Sequence, residues 1–317
     1  MTPSDDESEA FPYASAQAFG AAITDRLKRL ADASGRSASQ LRRQFAYDRL
    51  LARLFSTRPR EWILKGGVSM IARLASARHT ADVDLVATAD SADAALEALR
   101  VAAAQDLGDF FTFRFESPRA LVQGVPGLRI PTEAWLGHRI FERFGVDLVT
   151  GVVITGRPEE VEPLLPLMIP GLVRPRYRLY PLVDSIADKV MAIVETHHGR
   201  PSTRFRDLVD LVLIAHSQQV RADDLAGAIA SERLRRDLPS LDELAIPDVE
   251  LWRTGYQTVA GDVAGIVEKT LADALPLVKS FVDPVLAATA GGNAWDPAAL
   301  AWRQMDDARS ASPIRPG

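Results

Sequence analysis

The stretch LKGGVSMIARLASARHTADVDLVA, residues 64–87, constrains this chain more than any other part of it. It reads as the end of a strand, a Gly-Gly turn, a helix over Val68–Ala77, a polar turn and a second strand over Val83–Ala87. Two glycines without β-carbons let backbone N–H groups approach a bulky anion. The helix behind them presents its N-terminus, where orphan amides and the macrodipole favour phosphate. Ser69 and Thr80 add hydroxyls nearby. Asp82 and Asp84 are spaced by two on a strand, so both carboxylates leave the same face, with Cα atoms about 6.5–7 Å apart.

That pairing calls for a counter-charge. Carboxylates drawn to about 4 Å repel by roughly 4 kcal/mol at an effective dielectric near 20, so an unshielded pair is unfavourable or shares a proton. A divalent cation removes the conflict, and oxygen-only ligands suit Mg2+ or Mn2+. A phosphate cradle beside a metal-binding carboxylate pair is what nucleotidyl or phosphoryl transfer needs. A third carboxylate fits the same chemistry. Asp147, in the strand-like RFGVDLVTG, is the candidate, since an adjacent strand would bring it beside Asp82 and Asp84. A lone DxD is usually a turn or a solvated strand edge; the ordered combination of glycines, helix, DxD and a later strand Asp carries the reading.

The rest of the chain organises around this unit. Phe19, Ile23, Leu27 and Leu30 recur at helical spacing, and a second helix, capped by Ser37 or Ser39, carries Leu41, Phe45, Leu50, Leu51 and Leu54. Between Arg26 and Arg60 stand ten Lys or Arg against Asp32 and Asp48, a local excess that invites an anionic partner, with a solvated helix face as the plainer alternative. The middle region, with an Ala-rich helix near Ala92–Gln105 and strands in FFTFRF and HRIFERFGVDLV, makes a mixed α/β unit over about Trp62–Thr155. A Pro-rich linker, EEVEPLLPLMIPGLVRPRYRLYP, follows. Beyond Pro181 the periodicity is helical: Leu182–His197, Phe205–His216, Ala222–Arg236, Val249–Tyr256 and one long stretch over Ala260–Ala288. The C-terminal GGNAWDPAALAWRQMDDARSASPIRPG is expected to pack loosely, and to be flexible after Met305. These features divide the chain into a basic helical segment with an acidic start (1–60), an α/β core (61–180), a helical domain (181–305) and a tail (306–317).

Composition narrows the function classes. The 317 residues are 47% hydrophobic and 25% charged with a net charge of −5, which excludes a generally cationic nucleic-acid coat but not a local basic surface. The absence of cysteine rules out disulfides, thiolate-zinc sites and a cysteine nucleophile, and suits a reducing compartment. No apolar run reaches the roughly 20 residues that cross a bilayer, and MTPSDDESEA is acidic where a secretory signal is basic, so the expectation is a cytoplasmic protein. P-loop, dinucleotide, zincin and α/β-hydrolase motifs do not occur. His197-His198 lacks a partner at metal-ligand spacing, Gly124 and Gly127 around Pro126 read as a turn, and the five Trp are too scattered for a base-stacking platform.

The order of these motifs resembles the DNA polymerase β-type nucleotidyltransferase superfamily, and within it the AbiEii/MenT-like toxin nucleotidyltransferases. LKGGVSM and RHTADVDLV match the first block of that family. A second block, a helix bearing a Lys followed by an Arg-containing interval and R-D-x-x-D-L, is matched by DSIADKVMAIVETHHGRPSTRFRDLVDLVLI, with Lys189, Arg204, Arg206, Asp207 and Asp210. Val68 stands where many relatives carry a hydroxyl, leaving Ser69 to supply it, and either Asp207 or Asp210 fills the acidic position. The resemblance implies an α+β fold: a polymerase β-like mixed sheet with flanking helices, plus a mostly helical C-terminal domain. It implies a catalytic set of Asp82, Asp84, Lys189 and Asp207 or Asp210, a metal set of Asp82, Asp84 and Asp147, and Lys65, Gly66, Gly67, Ser69, Thr80 and Arg204 against the NTP. The implied reaction moves NMP from an NTP, with Mg2+ or Mn2+, to RNA at the tRNA 3′ acceptor end. The implied setting is growth arrest by a monomeric toxin regulated by a cognate antitoxin. The basic N-terminal helices and Arg174, Arg176 and Arg178 would then hold the RNA backbone. Two alternatives keep other classes open: transfer to a small molecule or protein hydroxyl, as in antibiotic-modifying or AMPylating enzymes, and a non-catalytic binding module.

Overall fold

The computed structural model describes residues 10–74, 78–121, 127–196 and 199–304. These divide into two compact units. The first takes residues 10–74, 79–121, 127–152 and 158–180, and the second takes 78, 153–157, 181–196 and 199–304.

The first unit opens with α1 (Ala16–Ser34) and α2 (Ala38–Thr57). Ser15 caps α1 by accepting from the Ala18 N–H, and Gly35, at φ +67°, closes it in the left-handed conformation. Ser37 takes the N-cap position of α2 without bonding the helix, its hydroxyl lying 2.7 Å from that of Ser39. The chain continues through β1 (Trp62–Lys65), α3 (Gly66–Arg73), β2 (Asp82–Ala87), α4 (Ala92–Ala103), β3 (Phe111–Phe115), β4 (Arg119–Ala120), β5 (Gly127–Leu136), β6 (Arg139–Val149), β7 (Glu159–Val161) and β8 (Tyr177–Leu179). The strands form one mixed sheet in the order β3-β5-β6-β2-β1-β8-β7, with β4 against β5. β2 and β6 pair in parallel, as do β1 and β8, and the other neighbours are antiparallel. This is the mixed sheet with flanking helices that the motif order implies.

Alternation sets which face is buried. In β2 and β6, Val83, Leu85, Val146 and Leu148 turn inward and join Phe19, Leu41, Phe45, Leu50 and Leu99 in the core, while the intervening residues face the other way. Two of the basic residues counted between Arg26 and Arg60 are core residues as well. Arg49 and Arg53 are fully buried and share Asp109, at 3.2 and 2.7 Å. Asp48 is buried too, accepting from the Tyr177 hydroxyl and from the Leu164 and Leu165 N–H groups, and burial pushes its carboxyl above the usual range against those bonds.

The expectation of a bare linker after Thr155 needs correcting. β7 and β8 add to the sheet edge, and Leu165, Ile169 and Leu172 are buried in the core, so the prolines punctuate a segment fastened by apolar contacts. Gly127 opens β5 opposite Val149 rather than sitting in a turn. Gly124, Pro126 and His197-His198 lie outside the described residues.

The second unit contains α5 (Leu182–Val194), α6 (Phe205–Ser217), β9 (Val220–Arg221), α7 (Ala222–Arg235), α8 (Val249–Gly261), α9 (Leu271–Leu286), β10 (Asn293–Asp296) and β11 (Ala301–Gln304). It departs from the sequence expectation twice. The stretch Ala260–Ala288 is not one helix: α8 ends at Gly261, Gly265 takes φ +79°, and Thr270 starts α9 by accepting from the Asp273 N–H. The C-terminal GGNAWDPAALAWRQ does not pack loosely. It forms β10 and β11 of a three-stranded sheet with β9, and Trp295 is fully buried, donating to the Ala215 carbonyl and tilted against Phe281. One buried indole outweighs the local Gly and Pro content. The residues from Met305 onward lie outside the described structure.

Candidate active site

β2 and β6 carry the same four residues, VDLV, at 83–86 and 146–149. Parallel pairing aligns them one to one, so Asp84 stands opposite Asp147, and Asp82 opposite Gly145. The valines and leucines at core positions fix this register, because a slip by one residue would turn every apolar side chain outward. The neighbouring strands extend the row. Lys65 of β1 pairs with Asp84, and Arg129 of β5 pairs with Asp147. One line across four strands therefore reads Arg129, Asp147, Asp84, Lys65, with Asp82 one step further along the same face of β2. Like charges directly opposite in a sheet are unfavourable, and a cation at each end of the row offsets that repulsion.

The backbone around the acids is pared away. A β-carbon on Gly66, which enters α3 at φ +61°, would lie 2.0 Å from Asp84 Oδ2, and one on Gly145 would lie 2.5 Å from Asp82 Oδ1. On Gly67 it would meet the Thr80 side chain at 2.6 Å. The Gly-Gly pair thus does more than free the backbone: Gly66 makes room for an acid and Gly67 for the threonine in front of it. Ser69 is buried and donates from Oγ to the Gly66 carbonyl at 2.9 Å, holding the bend closed. Thr80 Oγ1 lies 3.4 Å from the Asp82 carbonyl, and the Lys65 ammonium sits 4.7 Å above the Tyr180 ring.

Arg129 is the residue that sequence reasoning missed. Its Nε and Nη2 donate to the two oxygens of Asp147 at 2.7 Å each, and Nη2 also reaches Asp82 Oδ2 at 3.4 Å. The hydrogen bonds to Asp147 hold the guanidinium well above its usual range in spite of partial burial, so it stays a cation. The signal for it lay in the register: Arg129 is polar on a strand whose neighbour repeats the motif of β2.

The second motif block is assembled within the second unit. Lys189 of α5 donates to Asp207 Oδ1 at 3.2 Å and to Asp210 Oδ2 at 2.7 Å, both on α6. Arg204 bonds Asp207 from Nε at 2.7 Å, while Arg78 grips both oxygens of Asp210 at 2.9 and 3.1 Å. Both acids of the R-D-x-x-D-L block therefore meet the lysine. Burial alone would lower the Lys189 ammonium, but Asp210 and Asp207 outweigh it and hold it raised. Burial would raise Asp207, and Lys189 and Arg204 outweigh that to hold it below the ordinary carboxylate range.

Few of the expected RNA-binding arginines are free of the fold. Arg42 donates to the Phe141 carbonyl, Arg43 pairs with Glu142, and Arg49 and Arg53 are buried, while Lys28, Arg29, Arg58 and Arg60 are exposed. Arg174, Arg176 and Arg178 bond the carbonyls of Leu165, Glu160 and Arg60.

A family model described as the nucleotidyl transferase AbiEii toxin of a type IV toxin–antitoxin system matches residues 49–280, which span both motif blocks. The chain belongs to the AbiEii nucleotidyltransferase toxin family. It is thus a nucleotidyltransferase of the toxin–antitoxin type. Among solved structures, MenT4, a nucleotidyltransferase toxin from Mycobacterium tuberculosis, is similar at a TM-score of 0.51 and 15% identity, over 83% of this chain and 98% of that one. JHP933 from Helicobacter pylori gives a TM-score of 0.44 at 12% identity, over 80% of this chain and 93% of its own. No curated protein matches the chain. No described helix is long and apolar enough to cross a membrane.

Proposed function

We propose that this AbiEii-family chain transfers NMP from an NTP to RNA, at the tRNA 3′ acceptor end, using a divalent metal held by Asp82 and Asp84. The observation that carries the reading is the pair of carboxylates on one face of β2, each lying where a neighbouring glycine has no β-carbon. Oxygen donors in a pared-down backbone fit Mg2+ or Mn2+. When bound, such an ion supplies charge to the leaving pyrophosphate and acidity to the attacking hydroxyl.

The chain's own residues take the remaining roles. Gly66 and Gly67 let the Lys65–Ser69 backbone approach phosphate, and Ser69 keeps that bend shut through its bond to the Gly66 carbonyl. Lys65 and Thr80 stand beside the acids and face the NTP. Lys189, fixed by Asp207 and Asp210, is a charged ammonium for the triphosphate, with Arg204 next to Asp207. The type IV toxin description supports a cognate antitoxin as regulator, and the reading places a monomer in the cytoplasm. The decisive assay incubates the protein with each labelled NTP, Mg2+ and total tRNA. Label enters RNA, and neither EDTA-treated protein nor Asp82→Ala transfers it. Absence of label in RNA from the parent refutes the acceptor assignment.

One observation favours a second acceptor class. Because Arg49 and Arg53 are turned into the core, the exposed positive charge is smaller than the sequence count suggests, which suits a small-molecule or protein hydroxyl. Salt separates the two readings: RNA binding weakens steeply between about 50 and 200 mM salt, whereas a small acceptor is nearly indifferent.

A further inference from the structure

The sheet row contains more charge than two metal-binding acids require. Resting on the metal reading above, we infer that Asp147 is not a third metal ligand but a positioning residue for Arg129, whose guanidinium binds the phosphates of the NTP. Both oxygens of Asp147 are engaged by the arginine fork at 2.7 Å, whereas Asp82 has only a long 3.4 Å contact to the same group. A cation arriving at Asp82 and Asp84 gives up the weak contact and leaves the strong pair standing. Among the described residues, no group of three or more His, Cys, Asp or Glu is arranged to hold a metal ion.

The guanidinium is set for an anion. Its side chain is 51% exposed against 14% for Asp147, and Asp147 engages two of its five N–H donors. Its Nη2 edge faces Asp82, the carboxylate beside which a metal-bound triphosphate would lie. A purely structural role explains less. β5 and β6 are already joined by a backbone ladder from Gly127 to Leu136, and an ion pair this exposed adds little to stability. A planar fork anchored on one edge instead presents its other donors to phosphate with little further ordering.

The test uses the charge balance of the pair. Removing both members, in Arg129→Met/Asp147→Asn, deletes one positive and one negative charge and leaves the field at Asp82 nearly unchanged. Mn2+ binding is read by electron paramagnetic resonance without nucleotide. Nucleotide binding is read by calorimetry with non-hydrolysable α,β-imido NTPs and Mg2+, with no turnover in either assay. The double variant is expected to bind Mn2+ within about threefold of the parent and the NTP analogue about tenfold more weakly, as for losing a charge-assisted hydrogen bond. Arg129→Lys, which keeps the charge and loses the fork, is expected to weaken the analogue severalfold and serves if the double variant does not fold. Loss of Mn2+ binding in the double variant would make Asp147 a ligand, and unchanged analogue affinity would leave Arg129 without a nucleotide contact. Either result overturns the inference. Asp82→Asn separates its failure from that of the metal reading: if this variant binds Mn2+ like the parent, the metal assignment itself falls.

Discussion

Replacing Gly66 by alanine tests whether the glycine bend exists to seat an acid. Two effects add. The residue sits at φ +61°, where an L side chain costs about 1–2 kcal/mol. The new β-carbon would also stand 2.0 Å from Asp84 Oδ2 and 2.4 Å from its Cγ, so the carboxylate must leave its rotamer at about 1 kcal/mol. The sum is roughly 2–3 kcal/mol, or about 6 °C in the melting of a unit this size. The effect on turnover is larger than the effect on stability, since moving a reacting group by about 1 Å costs on the order of 100-fold.

Gly35→Ala is the matched control. Gly35 has φ +67° in the same unit, and nothing lies within 4 Å of the position its β-carbon would occupy. It carries the backbone strain alone, so it should melt about 1–2 kcal/mol below the parent and keep full nucleotidyl transfer. Calorimetric melting and transfer of labelled NMP, measured side by side, separate strain from collision. If Gly66→Ala transfers label as well as Gly35→Ala does, Asp84 has no catalytic position to lose and the reading of the bend is wrong.

Other expectations concern what holds the two units together internally. Asp109→Ala leaves Arg49 and Arg53 buried without their acid and should destabilise the first unit by about 3–5 kcal/mol in urea titration; a loss below about 1 would show that the pair is solvated. Burial opposes the Asp109 charge, but the bonds and field of Arg53 and Arg49 hold its carboxyl below the usual range. Its contribution is therefore complete above about pH 4 and lost as pH falls through the depressed value, and Asp109→Asn should flatten that acid limb in melting measured from about pH 6 to 2. Asp210→Asn, which weakens the partner shared by Lys189 and Arg78 at a fully buried position, should lower the melting temperature of the second unit more than Asp207→Asn, whose second partner Arg204 is exposed. Equal shifts would mean the two acids share one environment. Trp295→Ala should destabilise the second unit by about 3–5 kcal/mol, and a neutral result would restore the loosely packed C-terminal segment.

The parts of the fold legible in the sequence are those where one residue's periodicity settles its own fate. The apolar spacing of Phe19, Ile23 and Leu27, and the alternation in DVDLVA, give the right elements because each side chain needs only a core to face. Illegible parts depend on what a residue meets after folding. Trp295 looked like part of a Gly- and Pro-rich tail, yet the Ala215 carbonyl and the Phe281 ring bury it. Arg49 and Arg53 counted as surface charge, yet Asp109, more than fifty positions away in sequence, draws them inward. The same limit applies at the site. The spacing of Asp82 and Asp84 shows a shared face, but only strand order shows that Asp147 lies across from Asp84 and that Arg129 lies beyond it.

The apolar side of β2 and β6 also explains why the charged side keeps its geometry. Asp84 and Asp147 stand opposite each other because Val83, Leu85, Val146 and Leu148 are committed to the core, and the acids inherit their position from those four residues. Electrostatics would push the two carboxylates apart, but shifting either strand by one residue would expose that apolar set, at about 1.5–3 kcal/mol for each side chain. The repulsion, roughly 3 kcal/mol for charges about 5 Å apart at an effective dielectric near 20, is smaller than that sum. The sheet therefore holds acids together against their own field, and cations, whether Arg129 and Lys65 at the ends of the row or a divalent ion at Asp82 and Asp84, are drawn to the place where that field is strongest.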